Sequence, residues 1–172
     1  MIKKLNENEA DLIREIDRAE DITSSYHVKN GKLVKYCHEH IAGGWDPNEL
    51  EDIVQRTSEL IRNNGIVLGY FDKTNMIGVI SLGSLKLTFP NNCVLMDIFY
   101  VSSGYRGKGI GQELFKAIKG EAITFGLSGI YISATPTSGT VDFYLRSGCK
   151  LSKPNQGLLR KEPDDIHLLY DL

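Results

Sequence analysis

The chain has 172 residues, a length typical of one compact domain. Its composition of 41% hydrophobic and 24% charged residues is that of an ordinary globular protein and excludes disordered and collagen-like classes. Twenty basic and 22 acidic side chains give a net charge of −2, so no bulk positive field attracts nucleic acid or an anionic membrane. Any anionic ligand must therefore be bound by a local arrangement of residues.

Two further global features bear on location and cofactors. No apolar run is long enough to span a bilayer, and residues 1–10 lack the apolar region of a signal peptide, so we expect a cytoplasmic protein. The cysteines, Cys37, Cys93 and Cys149, are odd in number and share no C-x-x-C spacing. This pattern argues against a disulfide framework and against a zinc ribbon, and it predicts free thiols.

The first third of the chain predicts two helices separated by a poorly patterned segment. Apolar residues at helical spacing predict a helix over residues 7–18. Residues 19–45 predict mostly loop, with a short strand over 32–36 behind the turn at Asn30-Gly31. Asp46, Pro47 and Glu49 form a capping box with proline in the first turn, which predicts a second helix that ends near Gly65.

The rest of the chain alternates between strand and helix periodicity. Runs at 66–71 and 76–82 predict an antiparallel hairpin, and the nearly continuous apolar run 93–101 predicts one central strand covered on both faces. A helix is expected over 109–125, a strand over 129–134, a short helix over 140–147 and a closing strand over 166–170. The order indicates a mixed α/β (α+β) fold without repeats.

The segment from Arg106 to Gly111 (RGKGIG) carries the clearest chemical signal. It lies between the apolar strand and an amphipathic helix, where closely spaced glycines let the backbone approach a ligand. The N–H groups and positive dipole end of the helix point into the same space. A P-loop is excluded because its lysine and hydroxyl are missing, and a dinucleotide fingerprint lacks its third glycine.

A third pattern, [RQ]-x-x-G-x-[GA] after a strand, is matched by Arg106, Gly109 and Gly111. With this motif the sequence resembles the GNAT superfamily of N-acetyltransferases. Residues 142–149 (DFYLRSGC) are similar to a second element of that family, F-Y-x-x-x-G-F, with Cys149 in place of the phenylalanine. The resemblance implies a strongly twisted mixed sheet with helices on both faces. It predicts one domain over 1–172, with a coenzyme A region at about 93–150 and an acceptor-side region at about 1–65.

The resemblance also implies roles for particular residues. The main chain around Phe99 to Val101 would pair with the pantetheine arm of acetyl-CoA, and amides of the turn would bind its pyrophosphate. Tyr144 would donate a proton to the departing thiolate, and no metal is implied. Thr137 stands near the place where family members often carry a cofactor-binding asparagine. The residues assigned to the cofactor are Phe99, Val101, Arg106, Gly107, Lys108, Gly109, Ile110, Gly111 and Thr137.

Transfer to an amine needs a proton acceptor, and Asp97 is the candidate. Strand alternation would place it on one face with Phe99 and Val101, and a buried acid is costly unless it is paired or functional. It could equally accept structural hydrogen bonds, in which case a water chain or Glu20 could serve as the base.

Acceptor contacts are predicted for Arg18, Glu20 and Trp45, because charges beside an indole can orient a polar amine. The alternative is a solvated ion-pair cluster. His38 and His40 lack enough neighbouring ligands for a zinc site and are expected to be exposed loop residues.

The function predicted is transfer of the acetyl group of acetyl-CoA to a primary amine of a small molecule or peptide, by direct attack in a ternary complex. The alternative is a non-catalytic acyl-CoA-binding sensor or interaction module, which would keep the turn but would not need Tyr144. A homodimer is an open possibility.

Overall fold

The structure is a computed structural model that describes all residues, 1–172. Its strands are β1 (Ile2–Lys4), β2 (Glu20–Lys29), β3 (Lys32–Ala42), β4 (Ile66–Asp72), β5 (Asn75–Leu82), β6 (Cys93–Met96), β7 (Phe99–Val101), β8 (Gly129–Ala134), β9 (Lys150–Leu151) and β10 (Ile166–Asp171). Its α-helices are α1 (Pro47–Arg62), α2 (Ile110–Thr124), α3 (Ser138–Arg146) and α4 (Gln156–Lys161), and 3₁₀ helices span Glu7–Glu15 and Ser103–Tyr105. None of the helices is both long and apolar enough to cross a membrane.

The strands form two four-stranded sheets and a separate hairpin. The first sheet has the order β1-β4-β5-β7 and is antiparallel throughout, and the second has the order β6-β8-β10-β9. In the second sheet β6 pairs with β8 in parallel, while β10 is antiparallel to both of its neighbours. The predicted mixed α/β fold is confirmed, with its sheet divided into two halves.

Helices cover both faces of the first sheet, because alternate strand residues point to opposite sides. Ile66 and Leu68 of β4 belong to a large core cluster with residues of α2, whereas Val67 between them packs with residues of α1 and the first 3₁₀ helix. The larger cluster continues under the second sheet through Ile130 and Ile132. The two halves of the sheet therefore share one core on the α2 side.

The predicted single strand over 93–101 is wrong. The chain leaves β-geometry at Asp97 and Ile98, so β6 belongs to the second sheet and β7 to the first. The periodicity could not reveal this break, because buried residues continue on both sides of it. The division of this strand separates the two halves of the sheet.

The segment predicted as mostly loop is a long hairpin, β2 and β3, around the turn at Asn30 and Gly31. Both turn residues have positive φ, 51° and 72°, as the tight turn requires. The turn was predicted correctly, but the length of the strands was not. β3 is exposed along nearly all of its length, so its sequence has little apolar alternation from which a strand could be inferred.

The helix boundaries follow their capping residues. Asp46 caps α1 by accepting from the amides of Asn48 and Glu49, as predicted, but the Glu49 carboxylate pairs with Arg18 and does not complete the predicted capping box. The first predicted helix is a 3₁₀ helix that ends at Glu15, before the predicted residue 18. The predicted helices α2 and α3 and the strands β4, β5, β8 and β10 form at or within two residues of their expected bounds. β1, β9 and α4 were not predicted.

Candidate active site

The two sheets separate beyond β6 and leave a gap between β7 and β8. Met96, the last residue of β6, pairs with Ile132 of β8. β7 then pairs only with β5, while Ser133 and Ala134 of β8 pair only with β10. The gap therefore opens toward the carboxyl ends of β7 and β8.

The edge of β7 that borders this gap carries backbone groups that β5 does not use. In an antiparallel pair, the hydrogen bonds to one neighbour fall on alternate residues. The amide of Ser102 donates to the carbonyl of Ile77 at 2.9 Å, so Tyr100, two residues earlier, also directs its backbone groups toward β5. The N–H and C=O groups of Phe99 and Val101 point the other way, into the gap. A ligand chain that enters the gap can pair with this edge as an added strand.

The turn between β7 and α2 presents a row of amides without protein acceptors. The backbone N–H groups of residues 107–112 donate to no backbone or side-chain acceptor, and the first bond of the helix runs from Glu113 N to Gly109 O at 3.0 Å. Gly109 occupies the N-cap position and supplies no side-chain cap. Amides converging at a helix N-terminus form an anion-binding arrangement.

Each glycine of the turn has its own physical reason. Gly107 and Gly109 have φ of 74° and 87°, in the left-handed region that disfavours other residues. Gly111 has ordinary backbone geometry, but a Cβ there would lie 3.1 Å from the Phe143 ring. The first two glycines therefore shape the turn, and the third lets α2 and α3 pack closely.

The side chain of Arg106 holds the turn rather than extending into it. Its Nε donates to Val101 O at 2.9 Å, its Nη1 to Ala19 O at 2.7 Å and its Nη2 to Arg18 O at 3.1 Å. Lys108 Nζ likewise donates back to Gly104 O at 2.8 Å. Both side chains are therefore bound to protein carbonyls, and the Arg106 amide also donates to Ser103 O at 3.3 Å, so of these two residues only Lys108 has a free backbone N–H. The cofactor contact of Arg106 stays a prediction, and its Nε bond occupies the Val101 carbonyl, which points into the gap.

Tyr144 lies on α3 beside the gap, and its ring centroid is 6.1 Å from that of Phe99. It is 5% exposed, and burial raises the pKa of its phenol, with further contributions from Cys149 and Tyr100. Its hydroxyl has no hydrogen-bond partner. His167 Nε2 is the one side-chain polar atom that is both fully buried and without a partner. The Tyr144 hydroxyl, which also has no partner, is therefore not fully buried and borders accessible space. It is a protonated donor at neutral pH.

Asp97 is not the buried acid that the sequence predicted. It lies in the break between β6 and β7, is exposed, and forms an ion pair with Arg56 of α1, which also binds Asp52 at 3.3 Å. The expected alternation with Phe99 fails because the strand is interrupted at this residue. Asp97 nevertheless lies at the point where the gap opens, although it is not buried as predicted. Its role as a base stays a prediction.

Two of the three predicted acceptor residues come together on the other side of β7. The Arg18 guanidinium lies 5.0 Å from the centre of the Trp45 ring and pairs with Glu49. Trp45 in turn contacts Tyr100 edge-on, with ring centroids 4.9 Å apart. Tyr100 was not predicted, although its alternation with Phe99 would have placed it on this face. Burial raises the pKa of its phenol.

The remaining predicted site residues have local structural roles. Glu20 starts β2, and its carboxylate would lie 2.8 Å from a Cβ at Gly139 of α3, while Arg18 pairs with Glu49 and not with Glu20. The Thr137 hydroxyl caps α3 through the amide of Thr140, so its contact with the cofactor stays a prediction. Cys149 is a free, buried thiol whose pKa is raised by burial to about 12, which excludes a thiolate nucleophile at neutral pH.

Comparison with known proteins gives a family for this arrangement. Residues 30–149 match the family described as "Acetyltransferase (GNAT) family". This stretch contains β3, the gap, the glycine turn and Tyr144, and it covers more than half of the chain. The chain belongs to the GNAT family of acetyltransferases. No curated protein matches the sequence.

Solved structures share the fold of this GNAT acetyltransferase at low sequence identity. Nourseothricin acetyltransferase is 14% identical, covers 99% of this chain and 97% of its own, and has a TM-score of 0.75. The PaiA N-acetyltransferase from Thermoplasma acidophilum, solved with coenzyme A, is 16% identical over 100% and 98%, with a TM-score of 0.67. Aminoglycoside 6'-acetyltransferase type Ii is 18% identical over 99% and 96%, with a TM-score of 0.64. These similarities establish the fold alone.

Proposed function

We propose that this GNAT protein transfers the acetyl group of acetyl-CoA to a primary amine of a small molecule, by direct attack in a ternary complex. The observation that carries the proposal is the row of unpaired amides at residues 107–112, at the mouth of a gap beside the protonated Tyr144. The similar PaiA N-acetyltransferase was solved with coenzyme A, which supports the assignment of the donor.

Acetyl-CoA would bind with its pyrophosphate on the amides of the turn and its pantetheine arm along β7. The arm would pair with the N–H and C=O groups of Phe99 and with the N–H of Val101, whose carbonyl accepts from Arg106, and would run toward Asp97. This orientation would bring the thioester to the point where β6 and β8 stop pairing. Because the fold already holds the amides of the turn in place, they can bind the pyrophosphate without reorganising when acetyl-CoA arrives.

The chemical step would join the acceptor nitrogen to the thioester carbonyl carbon as the C–S bond breaks. The thiolate that leaves would take the proton of the Tyr144 hydroxyl, which is a general acid held protonated by burial. The attacking nitrogen would lose one proton, for which Asp97 at the opening of the gap is the proposed acceptor. No acyl-enzyme is needed.

Three features of the face beside Tyr100 support an acceptor site there. The Trp45 ring provides an aromatic surface. The ion pairs Arg18–Glu49 and Arg56–Asp97 place both positive and negative charges beside it. Nourseothricin and aminoglycoside acetyltransferases are named for small-molecule acceptors, which agrees with a small amine. A peptide amine, a homodimer and a cytoplasmic location stay predictions.

The proposal is tested by thiol release from acetyl-CoA across a panel of polyamines, aminoglycosides and N-terminal peptides. We expect release with at least one small amine and saturation in both substrates. The non-catalytic alternative would be favoured if acetyl-CoA raised the melting temperature of the protein while no acceptor released thiol.

A further inference from the structure

The break between β6 and β7 contains a β-bulge. On the neighbouring strand, Ser81 N donates to Ile98 O at 2.8 Å, and Gly83 N donates to Leu95 O at 2.8 Å. Two steps along the chain from Ser81 to Gly83 therefore correspond to three steps from Ile98 to Leu95, whereas regular antiparallel strands advance equally. One extra residue on one of two paired strands is the definition of a bulge, and here the extra residue lies beside Asp97.

The bulge turns Asp97 toward α1. Ile98 belongs to the core cluster that contains residues of α1, while Met96, two residues earlier, belongs to the cluster on the α2 side. Regular alternation would place these two residues on one face and Asp97 on the other. Instead, Asp97 pairs with Arg56 of α1. Two consecutive side chains therefore face α1, and Asp97 lies on the same side as Tyr100, at the proposed acceptor site.

The Ser81 hydroxyl replaces a backbone acceptor at this bulge. Two residues of a hydrogen-bonded antiparallel pair normally exchange two bonds between their backbone groups. Ser81 N donates to Ile98 O, but Ile98 N donates to Ser81 Oγ at 2.9 Å and to no carbonyl. Both residues are fully buried, so water does not provide an alternative partner. One side-chain oxygen thus takes the place of the carbonyl of its own residue.

Without this oxygen, regular pairing would be favoured. The buried Ile98 amide would have no acceptor, and an unsatisfied buried amide costs free energy. The Ser81 carbonyl would satisfy that amide again, as it does in a regular ladder, and Asp97 would then alternate toward the α2 side. The hydroxyl therefore favours the bulged arrangement over the regular one.

We propose that Ser81 is a positioning residue for the transfer reaction: its hydroxyl stabilises the bulge and thereby keeps the Asp97 carboxylate on the acceptor side of the gap. Ser81 is fully buried and would touch neither substrate, so it acts through Asp97. The inference rests on the proposed function and adds a residue to it. It also gives a reason for the one polar side chain in the apolar stretch 76–82.

The test separates the hydroxyl from the size of the side chain. Threonine and valine have nearly the same shape but only threonine carries a hydroxyl, so Ser81→Thr and Ser81→Val form a matched pair. We expect kcat of Ser81→Val to be at least about tenfold below that of Ser81→Thr, because a catalytic group misplaced by about 1 Å can cost about 100-fold in rate. The KM for acetyl-CoA should be nearly the same in both, since the amides of the turn are unchanged. Equal kcat in the two variants would overturn the positioning role.

Two further variants guard against effects on folding. If the added methyl group prevents Ser81→Thr from folding, wild type is compared with Ser81→Cys, which keeps the size but offers only a weak acceptor and should lose at least about tenfold in kcat. Thr57→Val is the control, because Thr57 is also fully buried but bonds to Ile53 O within α1. It should leave kcat unchanged, and a loss equal to that of Ser81→Val would contradict a specific role of Ser81.

Crystal structures of the matched pair need no turnover and keep this result distinct from failure of the proposed function. Asp97 should pair with Arg56 in Ser81→Thr but not in Ser81→Val. If the structures differ in this way and no amine releases thiol from acetyl-CoA in the wild type, the proposed function fails and the role of Ser81 in the bulge stands. If thiol is released but Asp97 pairs with Arg56 in both variants, the role of Ser81 fails and the function stands.

Discussion

Arg106 Nη1 donates a hydrogen bond to the carbonyl of Ala19 at 2.7 Å, which ties the glycine turn to the segment that leaves the first 3₁₀ helix. The same guanidinium binds the carbonyls of Arg18 and Val101. One side chain thus connects the turn, the edge of the gap and the segment next to Trp45. In this chain the Arg106 side chain therefore has a structural role and points away from the anion-binding amides.

Replacing Arg106 by alanine should therefore lower both stability and affinity for acetyl-CoA. We expect a loss of about 1 to 3 kcal/mol in unfolding free energy, because several hydrogen bonds from a charged group disappear. Arg106→Lys should not restore either property, since an ammonium cannot reproduce the planar fork. Lys108→Ala, whose ammonium binds one local carbonyl, is the control. Chemical denaturation and calorimetry provide the two measurements, and equal effects of Arg106→Ala and Lys108→Ala would contradict this role.

Gly109→Ala should weaken acetyl-CoA binding about tenfold or more, because an L-residue at a φ of 87° costs about 1 to 2 kcal/mol and distorts the amides. Gly120→Ala, on the exposed face inside α2 with open space at its Cβ, should instead stabilise the protein by about 0.5 to 1 kcal/mol and leave binding unchanged. Isothermal titration with coenzyme A and thermal melts test the pair. Unchanged affinity in Gly109→Ala would remove the turn from the proposed site.

Asp97→Asn should lower kcat by about 100-fold or more if Asp97 accepts the proton of the amine, with KM for acetyl-CoA little changed. Asp52→Asn is a matched control, because Asp52 also binds Arg56 but lies on α1 rather than at the opening of the gap. Steady-state kcat measured under conditions where chemistry limits the rate should fall in Asp97→Asn only. Similar rates in the two variants would leave Asp97 as a structural partner of Arg56.

His167 should make the protein less stable in acid. Burial lowers the pKa of His167 in the folded state. The stability that the neutral ring contributes is therefore fully present above the unfolded pKa of about 6.5 and is lost as pH falls toward the folded pKa. The raised pKa of Asp165 acts in the opposite direction. Unfolding free energy measured from about pH 7.5 to about pH 5.5 should therefore decline less in His167→Asn than in the wild type. Parallel curves would show that His167 titrates alike in both states.

The parts of the fold that could be predicted from sequence are those with strong local signals. Asp46 and Pro47 define the start of α1, and the glycines of the turn mark both an anion-binding site and the start of α2. In each case the deciding interactions lie within a few residues along the chain. For the same reason Gly107 and Gly109 could be identified as backbone elements of the site.

Features that depend on distant partners could not be predicted. The break at Asp97 arises because β6 pairs with β8 and β7 with β5, and neither partner is visible from the apolar run itself. The hairpin β2–β3 is polar because it lies outside the two main sheets. Asp165 meets Ser133 only through the register of β10 against β8, so neither residue attracted notice in the sequence.

Thiol release by the wild type and Tyr144→Phe, measured side by side with an accepted amine, tests the central claim most directly. The account predicts that the phenylalanine variant binds acetyl-CoA normally but loses about 100-fold or more in kcat, because the departing thiolate no longer receives the phenolic proton. An unchanged kcat in Tyr144→Phe, with chemistry shown to limit the rate, would contradict it.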